Sequence, residues 1–210
     1  MEAAGSPPGV TSMSDIFSKL ARYSARAGGL AVLLMAFVIG IDVLSRKLFG
    51  DSILSGGAGE LSGYVLAIST AWAASLTLLY RGHIRIDILQ SVVPRAAWVF
   101  FDLFAMLVFG LAAAVLAWVG VSTFLESLSR DAHSITPLAV PLAIPQGLWA
   151  AGLVFLCLTS LYLFVKALVR LVRGDRMGVV ALIGTRTAED DLREQQQVIE
   201  DIAAKGNGHA

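Results

Sequence analysis

Arg81-Gly82-His83-Ile84-Arg85-Ile86-Asp87-Ile88-Leu89 is a charged island between two long apolar halves. Before it, from about residue 27, and after it, to about residue 165, the chain reads as apolar helix broken by short polar connectors. The island therefore marks the centre of a pair of hairpins. Ile84, Ile88 and Val92, with Leu89, share one helical face, while Arg85 and Gln90 lie away from it and Pro94 closes the segment. This pattern predicts a short amphipathic helix in the plane of a membrane interface. The alternation of Ile84, Ile86 and Ile88 also fits a strand, but a lone strand beside a bilayer leaves its backbone unsatisfied.

Composition places the rest of the chain in the same setting. Of 210 residues, 56% are hydrophobic and only 15% charged, against about 25% charged in soluble domains. Mean hydropathy is +0.73. Apolar residues fall in long uninterrupted runs, which is the membrane signature. A formal net charge of +0 gives no reason to expect a nucleic-acid partner; the partner implied by composition is lipid. The single cysteine, Cys157, excludes an intramolecular disulfide and a cysteine-rich metal site. The first apolar run starts too late and runs too long for an ordinary signal peptide, so it reads as a retained span.

The fold class expected is an all-α integral membrane protein with four transmembrane helices, at about residues 27–46, 60–80, 96–120 and 146–166. Residues 1–13 are small, polar and proline-containing, and read as disordered. Residues 14–26 read as an amphipathic lead-in lying on the membrane surface. The segment 174–210 reads as a soluble acidic tail, its apolar Met177–Ile183 run being far too short to span, with an amphipathic helix over Ala188–Ala204.

Two stripes of small residues mark close helix approach: Gly63, Ala67, Ala71 and Ser75 in the second span, and Gly110, Ala113, Ala117 and Gly120 in the third. Trp72 sits mid-span, away from the interfacial belts, and reads as a packing anchor. Asp42 and Arg46 stand four apart and share a helix face near the end of the first span. Glu60 opens the second span, where the helix dipole favours an acid. Pro137, Pro141 and Pro145, each four apart, predict a re-entrant or surface-hugging turn before the fourth span.

Lysine and arginine near the span ends set the expected orientation. Lys19, Arg22 and Arg26 precede the first span, Arg81, Arg85 and Arg95 surround the island, and Lys166, Arg170, Arg173 and Arg176 follow the fourth. The opposite side carries only Arg46, Lys47 and Arg130. Both termini and the island are thus assigned to the cytoplasm.

The chain offers little for chemistry. No Ser-His-Asp, Cys-His or paired-carboxylate spacing stands out, and there is no Walker loop. The glycines of Gly56-Gly57-Ala58-Gly59 lack the strand and helix context of a dinucleotide loop, and flexible turn is a sufficient reading. His83 has only His133 and His209 as fellow histidines and no cysteine nearby, so neither a metal nor a haem is expected. Four nearly charge-free spans leave little room for a transport pathway built from broken helices. The residues alone favour an accessory or scaffold subunit. Alternatives are a membrane anchor of a redox or sensory complex, and a small stand-alone channel or carrier.

Arg46 in Ser45-Arg46-Lys47-Leu48-Phe49-Gly50, Glu60 opening the second span, Trp72, the Arg81-Gly82-His83-Ile84 run with Asp87, and the pairs Thr136-Pro137 and Ile144-Pro145 follow in an order that resembles one family. It is the DctQ-like small membrane subunit of tripartite ATP-independent periplasmic (TRAP) transporters. The resemblance spans about residues 30–165. It implies a non-catalytic subunit, without cofactor or metal, in the bacterial inner membrane. It also implies a large membrane transport subunit, which moves carboxylate-type solutes with sodium, and a periplasmic solute-binding protein as partners. On that reading, Gly63, Ala67, Ala71, Trp72, Ser75, Gly110, Ala113 and Ala117 pack against spans or the large subunit. Arg46 and Glu60 pair across the first connector, and Arg81, His83, Arg85 and Asp87 anchor the interfacial helix. Gly50, where the family often has asparagine, Ser75, where it often has glycine, and the long acidic tail depart from the pattern.

The charge count makes a direct prediction. Green fluorescent protein fused after Gln90 or after Lys205 is expected to fluoresce and alkaline phosphatase there to be inactive, with the reverse after His133. Active phosphatase after Lys205 contradicts the orientation.

Overall fold

The computed structural model describes residues 8–54, 57–81, 95–184 and 196. Its helices are α1 (Pro8–Phe49), α2 (Ala58–Leu79), α3 (Arg95–Ser129), α4 (Ala143–Val172) and the short α5 (Arg176–Ile183). The first four are each long and apolar enough to cross a membrane, so the chain is a multi-pass, all-α membrane protein. The expected interfacial helix between the second and third spans, the first seven residues and the acidic helix over Ala188–Ala204 lie outside the described residues, residue 196 apart.

The helices extend past the expected spans. The lead-in and the first span form one continuous helix, Pro8–Phe49. Pro8 stands at the first helical position, where its missing N–H costs nothing, and no proline interrupts the helix after it. The lead-in is also held by the bundle. Phe17 stacks on Phe155 and on Tyr162, with ring centroids 5.9 and 5.1 Å apart, and Ala21 is fully buried.

In space the order is α1–α2–α4–α3: α1 packs on α2, α2 on α4, and α4 on α3. Two antiparallel hairpins are thus joined through α2 and α4. Lipid tails are as apolar as leucine, so membrane helices associate through close packing and hydrogen bonds rather than through hydrophobic burial. The joint between hairpins shows both. A Cβ added to Gly152 of α4 would lie 2.8 Å from Trp72 Cδ1 and 2.9 Å from Ala71 Cβ. Trp72 Nε1–H donates across the same seam to the Leu148 carbonyl at 2.9 Å, and its ring packs on Phe155 with centroids 5.8 Å apart. Within the first hairpin, Ser69 Oγ donates to the Gly28 carbonyl at 3.1 Å. Within the second, Ala113, Ala117 and Met106 are buried among the residues between α3 and α4.

The connector between α3 and α4 is a folded turn. Pro137 occupies the second position of a turn closed by Ala139 N–H donating to the Thr136 carbonyl at 3.0 Å, the place its fixed φ suits. Ser134 N–H bonds the Val140 carbonyl and Leu142 N–H the Ala132 carbonyl, each at 2.9 Å, so the connector doubles back on itself. Pro145 then falls in the first turn of α4, where no intrahelical donor is needed.

After α4 the chain turns back. Gly174, at φ 78°, supplies the left-handed residue, and the Asp175 side chain caps α5 by accepting from Gly178 N–H at 2.8 Å. Arg170 Nη1 donates to the Gly178 carbonyl at 2.7 Å. Val179 and Ile183, four apart on one face, are 0% and 2% exposed in the core shared with Met106, Leu163 and Ala167. α5 is packed against α3 and α4, because a short helix that cannot span can still bury one face.

Overpacking a tight seam costs about 1–3 kcal/mol. Gly152→Leu is expected to lower the unfolding midpoint in detergent by several degrees, whereas Gly29→Leu, at a position where an added Cβ meets nothing within 4 Å, leaves it nearly unchanged. Equal effects of the two substitutions contradict the seam.

Candidate functional site

Two carboxylates organise the end of the bundle where both connectors lie. Asp42, near the end of α1, is 1% exposed. A buried charge is tolerated only when its oxygens are matched. Here Oδ2 accepts from Arg46 Nη2 at 2.8 Å, while Oδ1 accepts from Ser52 Oγ at 2.8 Å and Leu54 N–H at 3.0 Å. The first connector is thereby wrapped onto the helix it leaves. Arg46 remains half in solvent, so the pair is anchored on its acidic side.

Glu60, in the first turn of α2, reaches the other connector. Oε1 accepts from Tyr64 Oη at 2.6 Å, one helical turn on. Oε2 accepts from Thr136 Oγ1, 76 residues away in sequence. Ser134 Oγ lies 3.0 Å from Thr136 Oγ1 and also hydrogen-bonds the Glu60 carboxylate. Ser134 Oγ accepts in turn from Thr136 N–H at 3.2 Å. Apolar contact completes the clasp: a Cβ on Gly57 would come within 2.1 Å of Leu138 Cδ1, so a larger residue there would displace the Leu138 side chain. The clasp ties the second hairpin's connector to the first hairpin's return helix. Ile135, between the two hydroxyl residues, projects fully into the surroundings.

The expected pairing of Arg46 with Glu60 is thus replaced by two separate partnerships, Arg46 with Asp42 and Glu60 with Tyr64 and Thr136. The small-residue stripe of α2 divides. Ala71 and Ser75 are buried, while Gly63 and Ala67 are exposed, and a Cβ on Gly63 would meet nothing within 4 Å. On α3, Gly110 lies opposite Ser160, whose Oγ would be 3.6 Å from an added Cβ, and Ala113 and Ala117 are buried. Arg81 closes α2 at φ 56°, its N–H bonding the Leu78 carbonyl at 3.2 Å. His83, Arg85 and Asp87 lie outside the described residues.

Several contacts escape a reading of the sequence. Asp42 shows only its i, i+4 partner there, not Ser52 or Leu54. The carboxylate–hydroxyl link from α2 to the far connector joins residues with no local relation. Asp175 with Gly178, three residues apart ahead of a short apolar run, is the one such feature with a readable capping signal. Other buried hydroxyls turn inward to their own helices: Thr159 donates to the Phe155 carbonyl and Ser160 to that of Cys157, each at 2.8 Å. They pack like small apolar residues. Among the described residues, no group of three or more His, Cys, Asp or Glu side chains is placed to hold a metal ion.

Residues 35–170 match the family described as Tripartite ATP-independent periplasmic transporters, DctQ component. The matched segment takes in the last part of α1, all of α2 and α3, and α4 to near its end. Comparison with curated proteins and with solved structures gave no significant match.

Hydrogen bonds to a charged group contribute about 1.5–3 kcal/mol, and groups in direct contact couple measurably. A double-mutant cycle on Glu60→Ala and Thr136→Val is expected to show coupling of about 1–2 kcal/mol in detergent unfolding. The exposed Glu126–Arg130 pair is expected to show almost none. Additive effects of Glu60→Ala and Thr136→Val contradict the clasp.

Proposed function

Since the chain belongs to the DctQ family of TRAP transporter components, we propose that it is the accessory subunit that braces the large membrane transport subunit of such a system. In this reading it carries no catalytic residue and no cofactor, and it sits in the bacterial inner membrane with both termini in the cytoplasm. The large subunit moves a carboxylate-type solute with sodium, and a periplasmic solute-binding protein delivers that solute. The family match over residues 35–170 is the observation that carries the proposal.

The internal chemistry supports a bracing role over a transporting one. A transported ion or solute needs polar groups that are free to exchange partners. Asp42 is instead held by Arg46, Ser52 and Leu54, and Thr159 and Ser160 are bonded to their own helices. Polar groups that cross between elements, such as Glu60, Ser69 and Trp72, fix helices and connectors relative to one another. A rigid frame is what a moving partner needs to work against.

Within the proposal, the open face of α2 at Gly63 and Ala67 packs against the large subunit, because small residues let a second backbone approach closely. Arg81, His83, Arg85 and Asp87 anchor the island at the cytoplasmic interface.

Affinity purification of the full chain from native membranes in mild detergent tests this reading. A large polytopic partner is expected to copurify, and Gly63→Leu with Ala67→Leu to reduce its recovery at least several-fold, while Val108→Leu on the exposed face of α3 leaves it unchanged. Replacing His83 and Asp87 together is expected to impair assembly and solute uptake. A lone homo-oligomer or a copurified cytochrome sinks the proposal.

A further inference from the structure

We propose that the cavity along the α1–α2 seam, with the neighbouring face of α4, is a binding site for one anionic phospholipid, with an acyl chain in the cavity and the phosphate at Lys166. The inference rests on the four-span fold and not on the transporter reading.

A cavity of about 380 Å³ opens along the α1–α2 seam, lined by Ser24, Gly28 and Ala31 of α1 and by Val65, Ile68 and Trp72 of α2. The three α1 residues are small and spaced four and three apart, so they form one shallow wall of the helix. Its lining is almost wholly apolar, and a bilayer fills such a gap with hydrocarbon rather than water.

From Trp72 a continuous path of side chains leads towards the C-terminal end of α4. Trp72 contacts Phe155, Phe155 contacts Phe17, and Phe17 contacts Tyr162, at centroid separations of 5.8, 5.9 and 5.1 Å. Lys166 Nζ then lies 5.5 Å from the Tyr162 ring centroid and 3.4 Å from its hydroxyl. Phe155, Tyr162 and Lys166 are spaced seven and four apart and share one face of α4. Phe155 is itself buried, while Phe17 and Tyr162 are partly exposed, so the order from apolar cavity to aromatic rings to cation is the one in which a phospholipid presents acyl chain, glycerol backbone and phosphate. Among the described residues no carboxylate lies within ion-pair distance of Lys166, so its charge is available to an anion.

A helix from a protein partner fits this cleft poorly. Packed helices need about 8–10 Å between axes, and the Phe17 ring, stacked on Phe155 and Tyr162 of α4, already occupies the space between α1 and α4 at that level. A flexible acyl chain needs only its own width.

The test is native mass spectrometry of the full chain in mild detergent, titrated separately with phosphatidylglycerol and phosphatidylcholine. The unaltered chain is expected to retain one phosphatidylglycerol about fivefold more tightly than phosphatidylcholine, the preference one lysine near an anionic headgroup supplies. Lys166→Gln is expected to abolish that preference while leaving the lipid bound. Ala31→Phe, which fills the cavity, is expected to reduce binding of both lipids about tenfold or more. If Ala31→Phe fails to fold, Lys166→Gln alone decides. Equal retention of the two lipids by the unaltered chain, no retained lipid, or an unchanged preference in Lys166→Gln overturns the site. A partner helix cross-linked into the cleft does so too.

Discussion

The contact on which the rest of the structure depends is the seam between α2 and α4. Each hairpin has its own internal packing, and this seam is the main joint between them. In a membrane the seam cannot be driven by expulsion of water from apolar surface. It is driven by fit, through Gly152 against Ala71 and Trp72, and by one directional bond from the Trp72 indole to the Leu148 carbonyl. A helix carbonyl that accepts a second donor keeps its own intrahelical bond, so the crosslink does not weaken α4. Trp72 then passes the constraint on through Phe155 to Phe17, which brings the start of α1 against the same helix.

The connectors add a second constraint at the end of the bundle away from α5. Buried or half-buried carboxylates are costly, and each is matched by donors from a different part of the chain. Asp42 binds the first connector to α1, and Glu60 binds the second connector to α2. At the other end, α5 packs across α3 and α4 with Val179 and Ile183 in the core. The bundle is thus fastened at its middle and at both ends. Most of its outward surface remains apolar, including Leu33, Phe37, Leu111 and Trp118, as lipid and partner helices require.

Much of the fold was legible because membrane-spanning helices announce themselves locally, by length and by absence of charge. The i, i+4 spacing of Asp42 and Arg46 likewise carries their contact within one helix. Other features depend on geometry accumulated over distance. A stripe repeating every fourth residue rotates by about 40° per step around an α-helix, so Gly63 and Ala67 end up on open surface while Ala71 and Ser75 are buried. Glu60 was readable as a first-turn acid, but nothing local distinguishes Arg46 from Thr136 as its partner. The docking of α5 was hidden because eight residues are too few to span, and shortness was read as solubility. Its Asp175 cap and the paired Val179 and Ile183 were the overlooked signals.

The central claim is that this chain braces a transporter and does not itself transport. Reconstitution into liposomes tests it most directly, with the chain alone and with its large membrane partner, in the presence of the solute-binding protein and a sodium gradient. The account predicts no solute flux from the chain alone and sodium-dependent flux when the partner is present. Sustained flux from liposomes holding only this chain would contradict it.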